Sequence, residues 1–409
     1  MATVKPFIAI RPTRDKAPFV VSRSYQEYSK KELNANLKFN PFSFLHIINP
    51  GYKFDKQVSG TKRFSLVLNR YLEFLEGNIL KKDEVPGFYL YEIEQNDLKC
   101  CGLFCATSVA DYQNDIIKKH EDTIKRREKL FANYLSTVKF NAEPVLMTYE
   151  DNKVISDLLA LEKKNPPEYH FTTTDKATHK LWVISNEEVT KEIQETFKCV
   201  DKLYIADGHH RSASSNLLAK MTTPENPEIA KTSDYFMSYL IPESEIQIFE
   251  FNRMVKDLNG LTKEEFLIRL DGYFRIENKG AILYKPTKKH HFSMYLDGEF
   301  YSLYLRRKVY EFTDALSELD TQILFKTILR PVLGISDLSN DIRITYGYGK
   351  HNIIRMKDEI DAHNYKVGFS MLPVTISEIK EIADAGLVMP PKSTYIEPKL
   401  RSGMAIYEL

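Results

Sequence analysis

The pattern of hydrophobic and polar positions predicts strands and helices in mixed order along the chain. Runs rich in aromatic and β-branched residues, which are typical of strands, occur at 85–94, 98–109, 180–184, 202–206 and 342–348. A run at 291–305 contains Asp297-Gly298, a dipeptide that favours the tight turn of a β-hairpin. Apolar residues recur at helical spacing over 61–77, where Gly77 suits the C-terminal end, and near 263–270, 315–329 and 376–385.

This mixed order indicates a fold of the α+β or mixed α/β class. The chain has 409 residues, a length that suits two or three packed units rather than a single core. We place the predicted boundaries near 110 and 235. They give an N-terminal α/β unit at 1–110, a central unit at 111–235 and a C-terminal α/β unit at 236–409.

Composition and charge narrow the class of protein. Apolar residues make up 43% and charged residues 28% of the chain, which is typical of a globular protein. The net charge is +1, from 57 basic and 56 acidic residues, so we expect no broad nucleic-acid interface, which needs a basic excess. We find no secretory signal and no apolar run near 18 residues, so we expect a soluble cytoplasmic protein without a membrane partner. Its oligomeric state is expected to be a monomer or a homodimer.

The four cysteines are interpreted as reduced thiols. Cys100, Cys101 and Cys105 fall within one apolar strand-like run, and Cys199 stands apart. A metal site at Cys101 and Cys105 is disfavoured because no second Cys or His pair stands at finger spacing.

The densest group of chemically reactive residues follows a short predicted strand. After 202–206 come Asp207 and Gly208, and a predicted helix then begins with His209, His210 and Arg211. A strand that turns through glycine into a helix N-terminus suits an anion, because free N–H groups and the helix dipole favour negative charge. The guanidinium of Arg211 fits phosphate oxygens, so phosphoryl transfer is the chemistry we expect here.

Asp207 ends the predicted strand, where it is placed to hold a metal ion or to orient a hydroxyl. Two other interpretations of this segment stay open. One is a capped turn with surface histidines. The other is a zinc site from Asp207, His209 and His210, although adjacent histidines rarely point at one metal. The inward face of the helix is predicted to consist of apolar residues, namely Ala213, Leu217, Leu218 and Met221.

A second candidate is a helix predicted at 114–135. Helical spacing places Glu121 on a stripe with Ile117 and Ile124, and His120 on the neighbouring stripe, so both face partly inward. A carboxylate on an inward stripe is a candidate general base. The alternative is a solvated charged helix, which the lysines and arginines around these residues favour.

The third candidate is the proline-rich segment at 389–403. Its three prolines prevent a helix and favour an extended path. The cations and hydroxyls that it offers to an anion are Lys392, Lys399 and Arg401, and Ser393, Thr394 and Ser402. The alternative is a strap packed by Met389, Tyr395 and Ile396, and both interpretations can hold together. We find neither a Walker A loop nor a strand followed by Gly-x-Gly-x-x-Gly.

Three motifs in the same order resemble those of the domain-of-unknown-function 1015 family. They are Ile-Ala-Asp-Gly-His-His-Arg at 205–211, Lys-His-Glu-Asp-Thr at 119–123 and Met-Pro-Pro-Lys-Ser-Thr-Tyr at 389–395. The resemblance covers nearly the whole chain and extends to Asn40-Pro41, Leu319-Asp320 and Glu397-Pro398-Lys399. Two segments depart from the family pattern: Ala17-Pro18-Phe19-Val20-Val21, and Asn252-Arg253 where the family commonly has His-Arg.

The motifs of that family in turn resemble those of ParB-like free serine kinases. The resemblance implies a ParB-like kinase core with additional N- and C-terminal α/β units. It implies Glu121 as the catalytic base, Asp207 as its catalytic partner, and Gly208, His209, His210 and Arg211 as a phosphate cradle. It also makes His120 and Thr123 candidates for orienting the substrate, and Lys392, Ser393, Thr394, Lys399, Arg401 and Ser402 candidates for binding the donor.

The activity that the resemblance implies is phosphorylation of free L-serine, with pyrophosphate as donor and Mg²⁺ or another divalent cation at Asp207. A donor such as ATP or ADP is the alternative. A rival of another class is a ParB-like regulatory protein that binds nucleotides without kinase activity. That rival predicts a DNA-binding helix-turn-helix or a strongly basic face, and the sequence indicates neither.

Overall fold

The computed structural model describes residues 1–54, 58–222, 232–348 and 352–409. It divides into two compact units, each of mixed α/β architecture, and the predicted class is confirmed. The first unit comprises Met1–Lys118, Thr123–Ile246 and Pro398–Leu409, and the second comprises Lys119–Asp122 and Gln247–Glu397. This grouping by contacts is coarser than the predicted three-part division, which stays a prediction. None of the helices in these four ranges is long and apolar enough to cross a membrane.

The first unit is built on a large mixed sheet. In spatial order its strands are Ile117–Lys118, Leu203–Asp207, Val145–Tyr149, Tyr235–Pro242, Leu98–Ser108, Phe88–Gln95, Thr178–Ile184 and Tyr169–Thr172, and Val4–Lys5 also pairs with Leu98–Ser108. The strand Leu98–Ser108 is buried along nearly its whole length, as its near-continuous apolar sequence predicts. Cys100, Cys101 and Cys105 are buried there and Cys199 is exposed, and none of the four forms a disulfide bond within the described residues.

A smaller sheet in the same unit joins distant parts of the chain. Its strands, in order, are Leu80–Lys82, Ala9–Pro12, Ile406–Glu408 and Phe140–Asn141. The helix Gly60–Glu76 packs over it and buries Phe64, Val67 and Tyr71, which confirms the helix predicted at 61–77. The other helices of the unit are Ala17–Val20, Lys30–Phe39, Leu45–Ile48, Val109–Gln113, Lys125–Val138, Lys153–Glu162, Glu187–Phe197 and His209–Met221, with 3₁₀ turns at Tyr25–Glu27, Pro50–Phe54 and Glu243–Glu245.

The second unit has its own antiparallel sheet and core. Its strands, in order, are Phe274–Gly280, Glu299–Leu305, His291–Leu296, Val367–Ser370, Asn252–Val255 and Ile344–Gly347, and a separate pair joins Gln247–Phe249 to Tyr395–Glu397. The predicted hairpin is confirmed: Asp297 and Gly298 have φ values of 52° and 80°, as the tight turn requires. The helices are Lys263–Asp271, Asp320–Leu324, Asn352–Asp361 and Ile376–Asp384, with a 3₁₀ turn at Arg307–Val309.

One helix of the second unit is shorter than its apolar pattern predicts. The pattern at 315–329 predicts one continuous helix. The α-helix spans only Asp320–Leu324 and continues as a π-helical turn at Phe325–Leu329. The side chain hydroxyl of Thr327 donates to the carbonyl of Ile323 at 2.6 Å, a local bond that competes with regular helix geometry.

Candidate functional site

The predicted strand, glycine and helix of the central motif are confirmed in the first unit. The strand Leu203–Asp207 is followed by Gly208, whose φ of 107° lies in the left-handed region that favours glycine, and the helix starts at His209. The carbonyl of Gly208 accepts from the N–H groups of Arg211 at 2.8 Å and Ser212 at 3.0 Å. No side chain caps this helix start, so its positive end faces the residues that precede it.

Asp207 lies between two cationic side chains. Its Oδ2 atom is 2.9 Å from Nη2 of Arg211 and 3.9 Å from Nζ of Lys399. Burial acts to raise the pKa of the Asp207 carboxyl, but the positive charges of Arg211, Lys399 and His209 outweigh it and hold the pKa below its usual value. The side chain is nevertheless 46% exposed, so an ionised carboxylate is presented at the surface of the unit.

Arg211 is held in place by contacts on both sides of its guanidinium. Besides Asp207, it donates a hydrogen bond through Nη1 to the carbonyl of Pro144. A Cβ atom at Gly208 would stand only 3.0 Å from Nε of Arg211, so the absence of a side chain at Gly208 leaves room for this arrangement. The structure therefore couples the glycine to the arginine of the same motif.

The helix His209–Met221 buries most of the face that was predicted. Ala213 and Leu218 are buried and Leu217 is half-buried, but the prediction for Met221 is wrong, because this side chain is 52% exposed at the helix end. His209 is buried at 4% exposure and His210 is half-buried, so neither is a freely exposed surface histidine. Within the described residues, Asp207, His209 and His210 do not come together as a three-ligand metal site, which removes support from the zinc alternative.

The prediction of one helix over 114–135 is wrong. Ile117–Lys118 is a short strand that pairs in parallel with Leu203 and Tyr204, and the helix begins only at Lys125. The two strands that lead into the two motifs therefore run in the same direction at one side of the large sheet, with Lys118 opposite Tyr204, three residues before the second strand ends. Pairing with a distant strand overrides the local helical spacing of Ile117 and Ile124, and the latter is 54% exposed rather than part of a core.

The short segment Lys119–Asp122 belongs to the second unit and carries the His-Glu pair. His120 is fully buried, and its carbonyl accepts from the backbone N–H of Met389 at 2.9 Å. Glu121 is exposed, so the inward position predicted for it from helical spacing is wrong. Two of the three motifs thus contact each other through the backbone. Thr123, in the first unit, donates through its hydroxyl to Glu128.

The proline-rich segment divides between the two units. In the first unit, Lys399 contacts Asp207, Arg401 donates to Oδ2 of Asp175 at 2.6 Å, and Ser402 donates to Oε1 of Glu143 at 3.0 Å. The backbone of Ser402 also forms a two-bond bridge with Ser22. Of the three cations predicted to serve the donor, Lys399 is the one that meets the Asp207 motif within this unit.

In the second unit, the residues from 392 to 394 serve its packing. The carbonyl of Lys392 accepts from the buried Arg253 at 3.0 Å, and its ammonium lies 5.5 Å from the ring centre of Phe251. Ser393 is buried, and its hydroxyl donates to the carbonyl of Pro390 at 2.7 Å. Thr394 is half-buried. These contacts agree with the strap interpretation, while a role in donor binding stays a prediction.

Sequence reasoning missed Asp175 and Glu27 in the first unit. Asp175 fixes Arg401, and Glu27 is a half-buried carboxylate whose strongest charged neighbours are Arg401, Lys399 and Arg23. Neither stands in a recognisable motif. Both acquire their surroundings from residues far away in the sequence, so only the folded chain shows them.

A sequence profile of the family described as "Protein of unknown function (DUF1015)" matches residues 4–322. No curated protein was found that matches the chain. Among solved structures, the chain is similar to a free serine kinase variant in complex with AMP, at 13% identity and a TM-score of 0.39, with 76% of this chain and 95% of that chain covered.

Two further solved structures are similar to the chain at the same level. One is SbnI with a C-terminal truncation from Staphylococcus aureus, at 12% identity and a TM-score of 0.38, with 74% of this chain and 85% of that chain covered. The other is a conserved hypothetical protein from Pyrococcus furiosus, at 14% identity and a TM-score of 0.33, with 73% and 91% covered. The profile match spans most of the sequence and includes the motifs at 119–123 and 205–211, and the chain therefore belongs to the DUF1015 family.

Proposed function

We propose that this protein is a small-molecule kinase that converts free L-serine and pyrophosphate into O-phospho-L-serine and phosphate. The observation that carries the proposal is the position of Asp207, an ionised carboxylate between Arg211 and Lys399 beside the start of a helix. Phosphoryl transfer depends mainly on positioning and on neutralising charge, and this arrangement supplies fixed positive charge next to one carboxylate.

The proposed reaction is a displacement at phosphorus. The Oγ atom of serine forms a bond to one phosphorus of pyrophosphate, and the bond from that phosphorus to the bridging oxygen breaks. The second phosphate leaves with the bridging oxygen and its electron pair. The hydroxyl proton of serine passes to a carboxylate base, so that atoms and charge balance.

For the donor, the segment 208–211 and Lys399 are the proposed binding groups. The N-terminal turn of the helix His209–Met221 favours phosphate oxygens, and Lys399 adds a positive charge on the same side of Asp207. Pyrophosphate carries no nucleobase, which is consistent with the absence of Walker A and Gly-x-Gly-x-x-Gly sequences. ATP and ADP are the alternative donors.

For the base we propose Glu121, on the family resemblance. Its exposure suits a group that must reach a bound substrate, whereas His120 is fully buried and is tied by its carbonyl to Met389. His120 is therefore assigned a positioning role. Asp207 is a poor base because its pKa is depressed, and we assign it to holding charge instead.

A divalent cation fits the chemistry of Asp207. Mg²⁺ in kinase sites is held by one or two carboxylates together with phosphate oxygens, and Asp207 is ionised and 46% exposed. Its Oδ1 atom makes no hydrogen bond within the described residues. Such an ion would neutralise negative charge on the donor, and Asp207 is the residue that would hold it.

The test is a donor panel with purified full-length protein, L-serine and Mg²⁺. Pyrophosphate, ATP and ADP are supplied separately, and phosphoserine is measured directly. We expect phosphoserine with pyrophosphate. Phosphoserine formed only with a nucleotide would show that the donor is a nucleotide and would leave the proposed phosphorylation of serine standing. Nucleotide binding without phosphoserine from any donor would overturn the proposal and favour a regulatory nucleotide-binding protein.

A further inference from the structure

A cleft of about 600 Å³ opens in the first unit on the side of Arg401. Its walls include the aromatic side chains of Phe19 and Tyr28, and its polar groups include Arg23, Thr173 and Asp175. The segment 17–21, which departs from the family pattern, forms part of one wall.

Arg401 lines this cleft, and its side chain is buried rather than exposed at the surface. Its side chain is 7% exposed, and its Nη2 atom donates to Oδ2 of Asp175 at 2.6 Å. Its Nε atom is buried, and neither Nε nor Nη1 makes a hydrogen bond within the described residues. A guanidinium that is fixed through one nitrogen and has Nη1 left to donate is prepared to bind a carboxylate.

A chain of hydrogen bonds behind Asp175 holds the pair in place. The hydroxyl of Thr173 donates to Oδ1 of Asp175 at 2.6 Å and lies 3.2 Å from Nε2 of His179. The Nδ1 atom of His179 lies 2.7 Å from the hydroxyl of the buried Tyr91. Burial and the charge of Arg401 lower the pKa of His179 to about 3, so this imidazole adds no charge to the cleft at neutral pH.

Glu27 falls in the sequence between Arg23 and Tyr28, which line the cleft, and the backbone bridge between Ser22 and Ser402 brings its segment beside that of Arg401. It is half-buried, and its carboxylate makes no hydrogen bond within the residues that the structure describes, while its backbone N–H donates to the carbonyl of Ser24 at 2.9 Å. Burial raises the pKa of its carboxyl, and the charges of Arg401, Lys399 and Arg23 act in the opposite direction. A carboxylate that lacks hydrogen-bond donors next to a guanidinium is complementary to an ammonium group.

The balance of charges around Asp207 differs from that in the cleft, so the two sites favour different ligands. Around Asp207 two cations, Arg211 and Lys399, face one carboxylate, which leaves a positive excess that suits phosphate. In the cleft the cations are matched, because Arg401 pairs with Asp175 and Arg23 donates to Glu32 at 2.9 Å. Glu27, in the segment between the lining residues Arg23 and Tyr28, is then an additional carboxylate next to these pairs. A polyanion is disfavoured there, and a zwitterion with one charge of each sign is favoured.

We infer that Arg401 binds the α-carboxylate, and Glu27 the α-ammonium, of the amino acid that accepts the phosphoryl group. This inference rests on the proposed kinase function and names the acceptor subsite of that function. Lys399 and Arg401 are two residues apart, so their Cα atoms are at most about 7 Å from each other. This short link keeps a ligand of Arg401 and a ligand of Lys399 in the same part of the first unit.

The assignment is tested with serine analogues that lack one ionic group and with protein variants that lack the side chain assigned to that group. L-Serine is compared with serinamide, which lacks the carboxylate, and with N-acetylserine, which lacks the ammonium. Arg401→Ala and Glu27→Gln are assayed for acceptor KM, donor KM and calorimetric binding of L-serine without donor. We expect Arg401→Ala to raise the KM for L-serine by roughly 10- to 100-fold and to leave the KM for serinamide unchanged.

Glu27→Gln is expected to raise the KM for L-serine by a similar factor and to leave the KM for N-acetylserine unchanged. Neither variant is expected to change the donor KM. Arg401→Lys, which keeps the charge and fills the buried site, should recover part of the affinity. Arg14→Ala removes an exposed arginine that also pairs with a carboxylate, Glu168 at 2.7 Å, and serves as the matched control.

The outcomes keep the inference and the proposed function apart. Phosphoserine formation with an unchanged serine KM in Arg401→Ala would overturn the inference and leave the kinase standing. Calorimetric binding of L-serine that is lost in Arg401→Ala but retained in Arg14→Ala would support the inference even without turnover. Equal losses for L-serine and serinamide would mean that Arg401 holds the fold rather than the carboxylate.

Discussion

The ammonium of Lys399 lies 3.9 Å from Oδ2 of Asp207, on the same carboxylate oxygen that Arg211 contacts at 2.9 Å. Two family motifs that are far apart in the sequence thus meet at one atom within the first unit. Because both partners are cations, Asp207 stays ionised well into the acid range, and the place is set up to fix charge rather than to move protons.

Asp207→Asn should abolish phosphoserine formation, with kcat reduced by about 100-fold or more, because the neutral amide cannot hold a metal ion or balance the two cations. The side chain is 46% exposed, so the melting temperature should change little. Phosphoserine and thermal unfolding are measured together. Asp201→Asn changes an exposed aspartate of the same unit and should be silent. Near-normal turnover in folded Asp207→Asn would contradict the assigned site.

Lys399→Ala should raise the KM for the donor by about tenfold, because a charge-assisted contact is lost from a side chain that is 30% exposed. The effect should shrink at high ionic strength, since salt screens exposed charges. Donor KM is measured at two salt concentrations. Lys198→Ala, which removes an exposed lysine 2.7 Å from Glu195, is the matched control. A change confined to the serine KM would remove Lys399 from the donor site.

Gly208→Ala tests the coupling between backbone and guanidinium. An alanine at φ 107° costs about 1–2 kcal/mol of stability, and its Cβ would lie 3.0 Å from Nε of Arg211. We expect a lower melting temperature and a raised donor KM.

Gly60→Ala separates these two effects. Gly60 also has a positive φ, of 64°, but among the described residues outside its chain neighbours and its own helix backbone, no atom lies within 4 Å of the position of its Cβ. This control should lose similar stability and keep its donor KM. Equal kinetic effects in the two variants would show that backbone strain alone, and not displacement of Arg211, impairs the enzyme.

Glu121→Gln should lower kcat by about 10²- to 10⁴-fold without weakening donor binding, because the substitution removes the basicity of the side chain and keeps its shape. Its exposure predicts an unchanged melting temperature. His120→Gln, at a fully buried position, should instead reduce stability and affect kcat less. Asp122→Asn, at the exposed neighbour, is the control. A Glu121→Gln enzyme with more than half of its kcat, together with an inactive His120→Gln, would reverse the two roles.

The raised pKa of Asp320 predicts how the stability of the second unit depends on pH. The residue is 7% exposed, and burial raises the pKa of its carboxyl from 3.8 to about 7, with Glu378 adding to the shift and the N–H of His290 and the charge of Lys289 opposing it. A raised pKa in the folded state gives stability that is present below pH 3.8 and is lost as pH rises through 7. The free energy of unfolding of this unit should therefore fall by up to about 4 kcal/mol over that interval.

Asp320→Asn keeps an acceptor for the N–H of His290, which the wild-type carboxylate binds at 2.8 Å, and removes the titration. Denaturant unfolding at pH 5 and pH 8 should show a smaller difference for this variant than for the wild type, with the gain in stability at pH 8. Asp358→Asn, at an exposed position of the same unit, should behave like the wild type. An equal pH dependence in Asp320→Asn would assign the effect to other groups.

Local patterns sufficed where neighbours in the sequence decide the structure. The dipeptide Asp297-Gly298 adopts the positive φ values that its turn needs, and Gly208 does so between strand and helix. The helix Gly60–Glu76 follows its apolar stripe because one side packs on a core. In each case the backbone preference and the hydrophobic period agree.

Where pairing between distant segments decides the structure, the local sequence pattern gave a wrong prediction. Ile117 and Ile124 have helical spacing, yet Ile117 pairs with Leu203 in the large sheet and Ile124 is exposed. The contact of Arg401 with Asp175 likewise joins residues from distant segments, so no window of sequence contains it. The strand, glycine and helix of the motif at 205–211 were predictable, but the cleft lined by Arg401 and Asp175 was not.

The strand Ile406–Glu408 lies inside the small sheet, between Ala9–Pro12 and Phe140–Asn141. A ribosome makes this strand after residues 247–397, so the second unit has its whole main segment available before the first unit can close its sheet. Until then, both flanking strands carry an edge without its partner. The small sheet of the first unit is therefore completed only after the main segment of the second unit has been synthesised, and a nascent chain stalled before residue 406 would expose these edges to aggregation.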